Sequence, residues 1–265
     1  MSHYIALPKD VIKKLRQDGF GTDGSGYLRS RMSESTVLSQ RLALAENETE
    51  ISVASLSRTD ALSLLSPEQL KLRNTLLLAH EQKGVRSVLI TGTSEGVGVT
   101  SLAAAMAIGL SWDPKLEILL IEANWFRPRL HQILPLAEEE NSAESLNGSL
   151  PNVKAAGFPN LHVMAAHRHH AVLPLEARRL AASLPSLCDT FDFVIIDAPP
   201  VSLHADLLLL CSHLDSVVLV AEAGRTRIKE LHETISELNR VEAKLLGVVL
   251  NREKNRLPAA FSKWL

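Results

Sequence analysis

The residues best suited to chemistry begin with Gly92-Thr93-Ser94-Glu95-Gly96-Val97-Gly98-Val99-Thr100-Ser101, which follows the apolar run Val88-Leu89-Ile90-Thr91 and leads into an alanine-rich stretch. Strand, glycine loop, helix is the order in which backbone N–H groups turn inward around a phosphate. Gly96 and Gly98 would let the chain make that turn, and a helix starting near Thr100 and Ser101 offers its positive end to the anion. Thr100 stands where a hydroxyl would hold Mg²⁺. A standard loop ends Gly-Lys-Ser/Thr, whereas here Val99 occupies the lysine position and Glu95 adds a carboxylate with no basic residue to balance it. A charged hydrogen bond is worth roughly 1.5–3 kcal/mol, so phosphate binding is expected to be weakened and transfer slowed.

Two further segments carry acids at the ends of apolar runs. Leu119-Leu120-Ile121-Glu122-Ala123-Asn124-Trp125-Phe126-Arg127-Pro128 offers Glu122 and the uncharged Asn124, and Phe193-Val194-Ile195-Ile196-Asp197-Ala198-Pro199-Pro200 offers Asp197. Ligands of open α/β sheets bind at the carboxyl ends of strands. A carboxylate such as Asp197 there would orient Mg²⁺ through water. Trp125 and Phe126 are read either as filling the phosphate site, as a contact surface, or as ordinary packing. The cluster His167, Arg168, His169 and His170 is a weak zinc candidate, because adjacent imidazoles rarely converge on one ion. The run Glu138-Glu139-Glu140 reads as a solvated surface.

These sites need a framework, and the chain carries one. Short apolar runs at 87–91, 117–121, 161–164, 193–196, 216–220 and 245–250 alternate with helical stretches such as 100–110 and 226–241. Continuous rather than alternating apolar strands mark a sheet covered on both faces. The expected fold is α/β, a doubly wound and mostly parallel sheet. Ser66 followed by Pro67 predicts a helix start, and Gly84 after Lys83 its stop. Residues 1–60, with glycines at 19, 22, 24 and 26 and a Ser/Thr/Glu-rich stretch, read as a flexible arm before a domain at 61–265. Within the arm, 11–17 suits a short basic amphipathic helix.

Composition narrows the function classes. The chain has 265 residues, is 46% hydrophobic and carries a net charge of −2, which leaves no global positive field for nucleic acid. Its apolar runs fall short of the roughly 20 residues of a membrane-spanning helix. The first residues lack the pattern of a secretory signal, and a cytoplasmic location is expected. Cys188 and Cys211 are too few for a disulfide framework and are read as reduced, buried thiols.

Over 66–252 the sequence resembles the cytoplasmic kinase domain of bacterial tyrosine kinases of capsule and exopolysaccharide export, within the deviant-Walker P-loop NTPases. That family shows a loop of the form T-S-x-x-P-G-E-G-K-S-T, a Walker A′ segment I-D-A-D-L-R-R-P and a Walker B segment Y-D-x-V-I-I-D-x-P-P. The last is nearly matched by Phe191-Asp192-Phe193-Val194-Ile195-Ile196-Asp197-Ala198-Pro199-Pro200, and Gly224-Arg225-Thr226 and Leu246-Gly247-Val248-Val249-Leu250-Asn251-Arg252 agree as well. The resemblance implies ATP or ADP with Mg²⁺ as ligands. Gly96, Gly98, Thr100, Ser101 and Asn251 would lie at the nucleotide, Asn251 near the base, with Thr100 and Asp197 at the metal and Asp197 and Glu122 in the catalytic positions.

Departures fall where the family's chemistry is done: Val99 for lysine, Glu95 for proline, Glu122 and Asn124 for the two Walker A′ aspartates. Asn124 can neither carry charge nor act as a base. The family's terminal tyrosine cluster is missing, for Tyr4 and Tyr27 are the only tyrosines. Glu68 to Arg73 follows the family's Glu-x-x-Arg-x-x-Arg oligomerisation motif only loosely, its last basic residue one position early. The expected function is a kinase-like subunit, catalytically impaired, that regulates polysaccharide assembly with a membrane co-polymerase, with homo-oligomerisation open. An active ATPase or kinase using another cation such as Arg127, and a partition-type spatial-organising ATPase, stay open as alternatives.

Overall fold

The computed structural model describes residues 4–6, 65–134, 153–154, 158, 160–166 and 173–252. The histidine and triple-glutamate clusters, the 11–17 segment and the residues after 252 lie outside them.

Eight strands form one sheet: β1 (Tyr4–Ala6), β2 (Ser87–Gly92), β3 (Ile118–Glu122), β4 (Val153–Lys154), β5 (Leu161–Met164), β6 (Phe193–Asp197), β7 (Ser216–Glu222) and β8 (Leu245–Asn251), in the order β1-β8-β7-β2-β6-β3-β5-β4. The six inner strands, β8 through β5, run parallel, while β1 on β8 and β4 on β5 are antiparallel edges. Among the described residues, five α-helices flank the sheet: α1 (Pro67–Lys83), α2 (Val99–Ser111), α3 (Leu173–Thr190), α4 (Asp206–Cys211) and α5 (Ile228–Arg240).

The unbroken apolar strands are buried on both faces, as their composition requires. Val88, Ile90, Ile118, Leu120, Phe193 and Ile195 pack under α1 and α2. Their neighbours Leu89, Leu119, Ile121, Val194 and Ile196 pack under α3 and α4, and Leu219, Ala221 and Val248 under α5. α1 begins where expected. Ser66 accepts from the Gln69 N–H, Gln69 returns the bond to the Ser66 N–H, and Gly84 closes the helix at φ 64°. α1 approaches α2 closely because Gly109 has no side chain: a Cβ there would stand 3.3 Å from Arg73 Cδ of α1 and 2.7 Å from Cδ1 of Leu65, just ahead of it. Arg73 Nε donates to the Gly109 carbonyl at 2.5 Å, and both Arg73 and Glu68 are buried. Of the loose oligomerisation motif, Glu68 and Arg73 are therefore buried, while Lys71 stays exposed.

Three features differ from the sequence reading. Tyr4–Ala6, inside the segment read as an arm, adds a strand to β8. α3 and α4 went unread, α3 because Pro185 interrupts its pattern. Cys188 is only half-buried, whereas Cys211 is fully buried. Burial pushes the Cys211 thiol up to about 12.

Candidate functional site

The register of the central strands brings the three segments to one crevice. Ile90 pairs with Asp197, and Asp197 with Glu122, so β2, β6 and β3 end side by side. The loop that leaves β2 is built to turn sharply: Gly96 stands at φ 78° and Gly98 at φ 95°, values that L side chains adopt only at a cost. A Cβ on Gly98 would also stand 2.2 Å from Asn251 Nδ2. The base of the loop is pinned to β7 and the turn after it. Thr93 N–H donates to the Val220 carbonyl at 2.9 Å, and the Thr93 hydroxyl meets that of Thr226 at 3.1 Å. Gly98 caps α2 without a side-chain hydrogen bond, which leaves the first N–H groups of the helix aimed at the crevice.

Asp197 is 1% exposed, hydrogen-bonded by the Thr100 hydroxyl, and its Oδ2 is buried with no hydrogen-bond partner. Burial foremost, with a smaller push from the Glu122 carboxylate, raises it to about 7 against the opposing effect of Thr100. An orphaned carboxylate oxygen beside a hydroxyl, at the mouth of a glycine loop, fits a hard cation.

Glu122 is used otherwise. Its Oε1 accepts the N–H groups of Arg129 and Leu130, and its Oε2 accepts that of Ala166 at 3.1 Å. The extra methylene relative to aspartate lets the carboxylate reach past the crevice and clamp the segments that follow β3 and β5. Asn124 Oδ1 accepts the Arg127 N–H at 3.2 Å and so shapes the turn between them. Asn251 donates from Nδ2 to the Val97 carbonyl at 2.7 Å, which ties the end of β8 to the loop. Val99 packs against the core cluster under α1 and α2, its Cγ2 3.1 Å from where a Cβ on Gly92 would stand. Ser101 lies half-buried on the first turn of α2.

Glu95 is not unbalanced: Arg127 Nη1 lies 2.6 Å from its Oε2. The sequence reading missed this because the two residues are 32 positions apart and no periodicity links them. On the other side of the loop Glu222 holds Arg225 at 3.2 Å and Arg252 at 3.4 Å. Trp125 packs on the cluster under α3 and α4, while Phe126 is 55% exposed and stacks on His204 with ring centroids 5.3 Å apart.

No family model matches the sequence. The tyrosine-protein kinase CpsD of Streptococcus agalactiae is 32% identical over 62% of this chain and 73% of its own length. The chain belongs to the bacterial tyrosine-kinase family. The tyrosine-protein kinase YwqD of Bacillus subtilis (strain 168) is 26% identical over 75% of this chain and 86% of its own. Some relatives in the family are much longer: the chain spans 30% of the tyrosine-protein kinase ptk of Acinetobacter johnsonii, at 24% identity over 82% of this chain. Among solved structures, the chimerical protein CapA2B2 superposes with a TM-score of 0.67 at 22% identity, covering 92% of this chain and 99% of that one. The kinase domain of Escherichia coli tyrosine kinase ETK superposes at 0.65 and 19%, covering 93% and 95%. These likenesses establish the bacterial tyrosine-kinase fold, a parallel sheet with a P-loop NTPase core. The four residues that the sequence pattern sets apart are each occupied in local contacts: Val99 in packing, Glu122 and Asn124 in backbone hydrogen bonds, Glu95 in an ion pair.

Proposed function

We propose that this chain is a nucleotide-binding, kinase-fold subunit with impaired phosphoryl transfer, which regulates exopolysaccharide or capsule assembly by contact with a membrane polysaccharide co-polymerase. The observation that carries the reading is Glu122, whose two carboxylate oxygens are both committed to backbone N–H groups. A group so occupied is poorly placed to take a proton from a substrate hydroxyl, and Asn124 beside it cannot. ATP with Mg²⁺ would supply the phosphoryl group and neutralise its charge. The chain's own part would be to hold them: the N–H groups of the loop and the start of α2 would face the phosphates, and Thr100 with Asp197 would hold the metal. A fold that retains this cradle without a placed base suits recognition better than turnover. Phe126 and the face around it are the proposed contact, since exposed aromatic residues commonly anchor interfaces.

The test is phosphotyrosine immunoblotting and phosphate release with the purified full chain, run beside a genetic comparison. The expected outcome is no autophosphorylation, loss of surface polysaccharide on deletion, and tolerance of Asp197→Ala. Turnover that Asp197→Ala abolishes would replace this reading with the active-enzyme one.

A further inference from the structure

We propose that Arg127 is the cation that meets nucleotide phosphate in this chain, and that Glu95 gates it by competing for the same guanidinium. The proposal rests on the reading that the loop holds a nucleotide.

Glu95 immediately precedes Gly96, where the backbone turns at φ 78°, so its carboxylate stands at the rim of the loop. Arg127 reaches that rim from the segment after β3, and the pair closes at 2.6 Å. The backbone of Arg127 is set by its surroundings. Its N–H donates to both the side-chain and main-chain oxygens of Asn124, each at 3.2 Å, and two residues on, Glu122 clamps the N–H groups of Arg129 and Leu130. The segment is fixed on both sides while the side chain stays 64% exposed. The residues that depart from the family's pattern at 95, 122 and 124 thus join in one arrangement that presents a cation from outside the loop, where Val99 presents none from within.

Exposed ion pairs contribute about 1 kcal/mol or less, so the Glu95 contact opens readily. A phosphate carries more charge than a carboxylate and matches the planar guanidinium bidentately. Arg225 is a poorer candidate. Its Nη1 would lie 3.9 Å from a Cβ on Gly96, but it is paired with Glu222, whose side chain is only 15% exposed.

Calorimetric titration of the full chain with Mg-ATP, Mg-ADP and inorganic pyrophosphate tests this. Arg127→Gln should weaken ATP binding about tenfold, the equivalent of one charged hydrogen bond, and Arg127→Lys should recover part of it. Glu95→Gln should tighten binding about threefold, within the range for release of an exposed pair. The decisive measurement is the double variant. If Glu95 gates Arg127, the Glu95→Gln gain shrinks when Arg127 is already glutamine. If Glu95 only repels phosphate, the gain grows, and the gate is overturned. Wild-type binding that Arg127→Gln leaves unchanged overturns the proposal while the nucleotide-binding reading stands. Failure of both wild type and Glu95→Gln to bind any of the three ligands overturns that reading and the proposal together.

Discussion

Two buried acids at paired positions on neighbouring strands are held differently. Glu122 satisfies three N–H groups, so Glu122→Ala would leave Arg129, Leu130 and Ala166 each without an acceptor. An orphaned buried donor costs about 1–3 kcal/mol; only the Leu130 N–H is buried, while those of Arg129 and Ala166 are part-buried and open to water, so the expected loss is about 1–3 kcal/mol in urea unfolding. Glu122→Asp, although it restores the family's residue, should also destabilise, because the shorter side chain cannot reach all three. Asp197 behaves differently, since it is raised from its ordinary 3.8 to about 7. A carboxyl that holds its proton more tightly when folded contributes stability below pH 3.8, and that contribution is lost as pH rises through about 7. The span corresponds to roughly 4 kcal/mol. Asp197→Asn should flatten the dependence of unfolding free energy on pH across this window, and an unchanged slope would exclude Asp197 as its source. The sequence placed both acids at strand ends, and the paired register confirms their position. It could not say which carboxylate would find backbone partners, because Arg129 lies seven residues from Glu122 and Ala166 forty-four.

The elements were legible wherever a local signal marked them. The six parallel strands were read to within two residues, since each is a short apolar run, and α1 carried its own start and stop at Ser66, Pro67 and Gly84. β1 and β4 were not, because three- and two-residue strands hold no periodicity and form only on a neighbour's edge. α3 was hidden by Pro185, which has no N–H to offer the Ala181 carbonyl and is unfavourable inside a helix by about 3 kcal/mol relative to alanine. Pro185→Ala should therefore stabilise the fold by about 1–3 kcal/mol. The residue lines a cavity of about 420 Å³ with Ala181, Leu184 and Cys188 at the opposite end of the sheet from the loop, so the gain should come without change in nucleotide affinity. Differential unfolding and binding measurements on one variant check both halves.

At the scale of the molecule, six parallel strands leave two unsatisfied margins, and β1 and β4 cover them. Such margins are the usual seeds of strand accretion between chains. β4 is two residues long and offers a neighbour little to extend. β8 is seven residues long, and β1 pairs with its Gly247, Val248 and Val249. Removing residues 1–6 would strip the partner from a long apolar strand. The truncated protein should scatter more light on storage and lose monomer in sedimentation, while a dispersion as stable as the full chain's would show that β1 protects nothing. On that expectation the three residues of β1 would govern colloidal behaviour, through their place on the edge of β8.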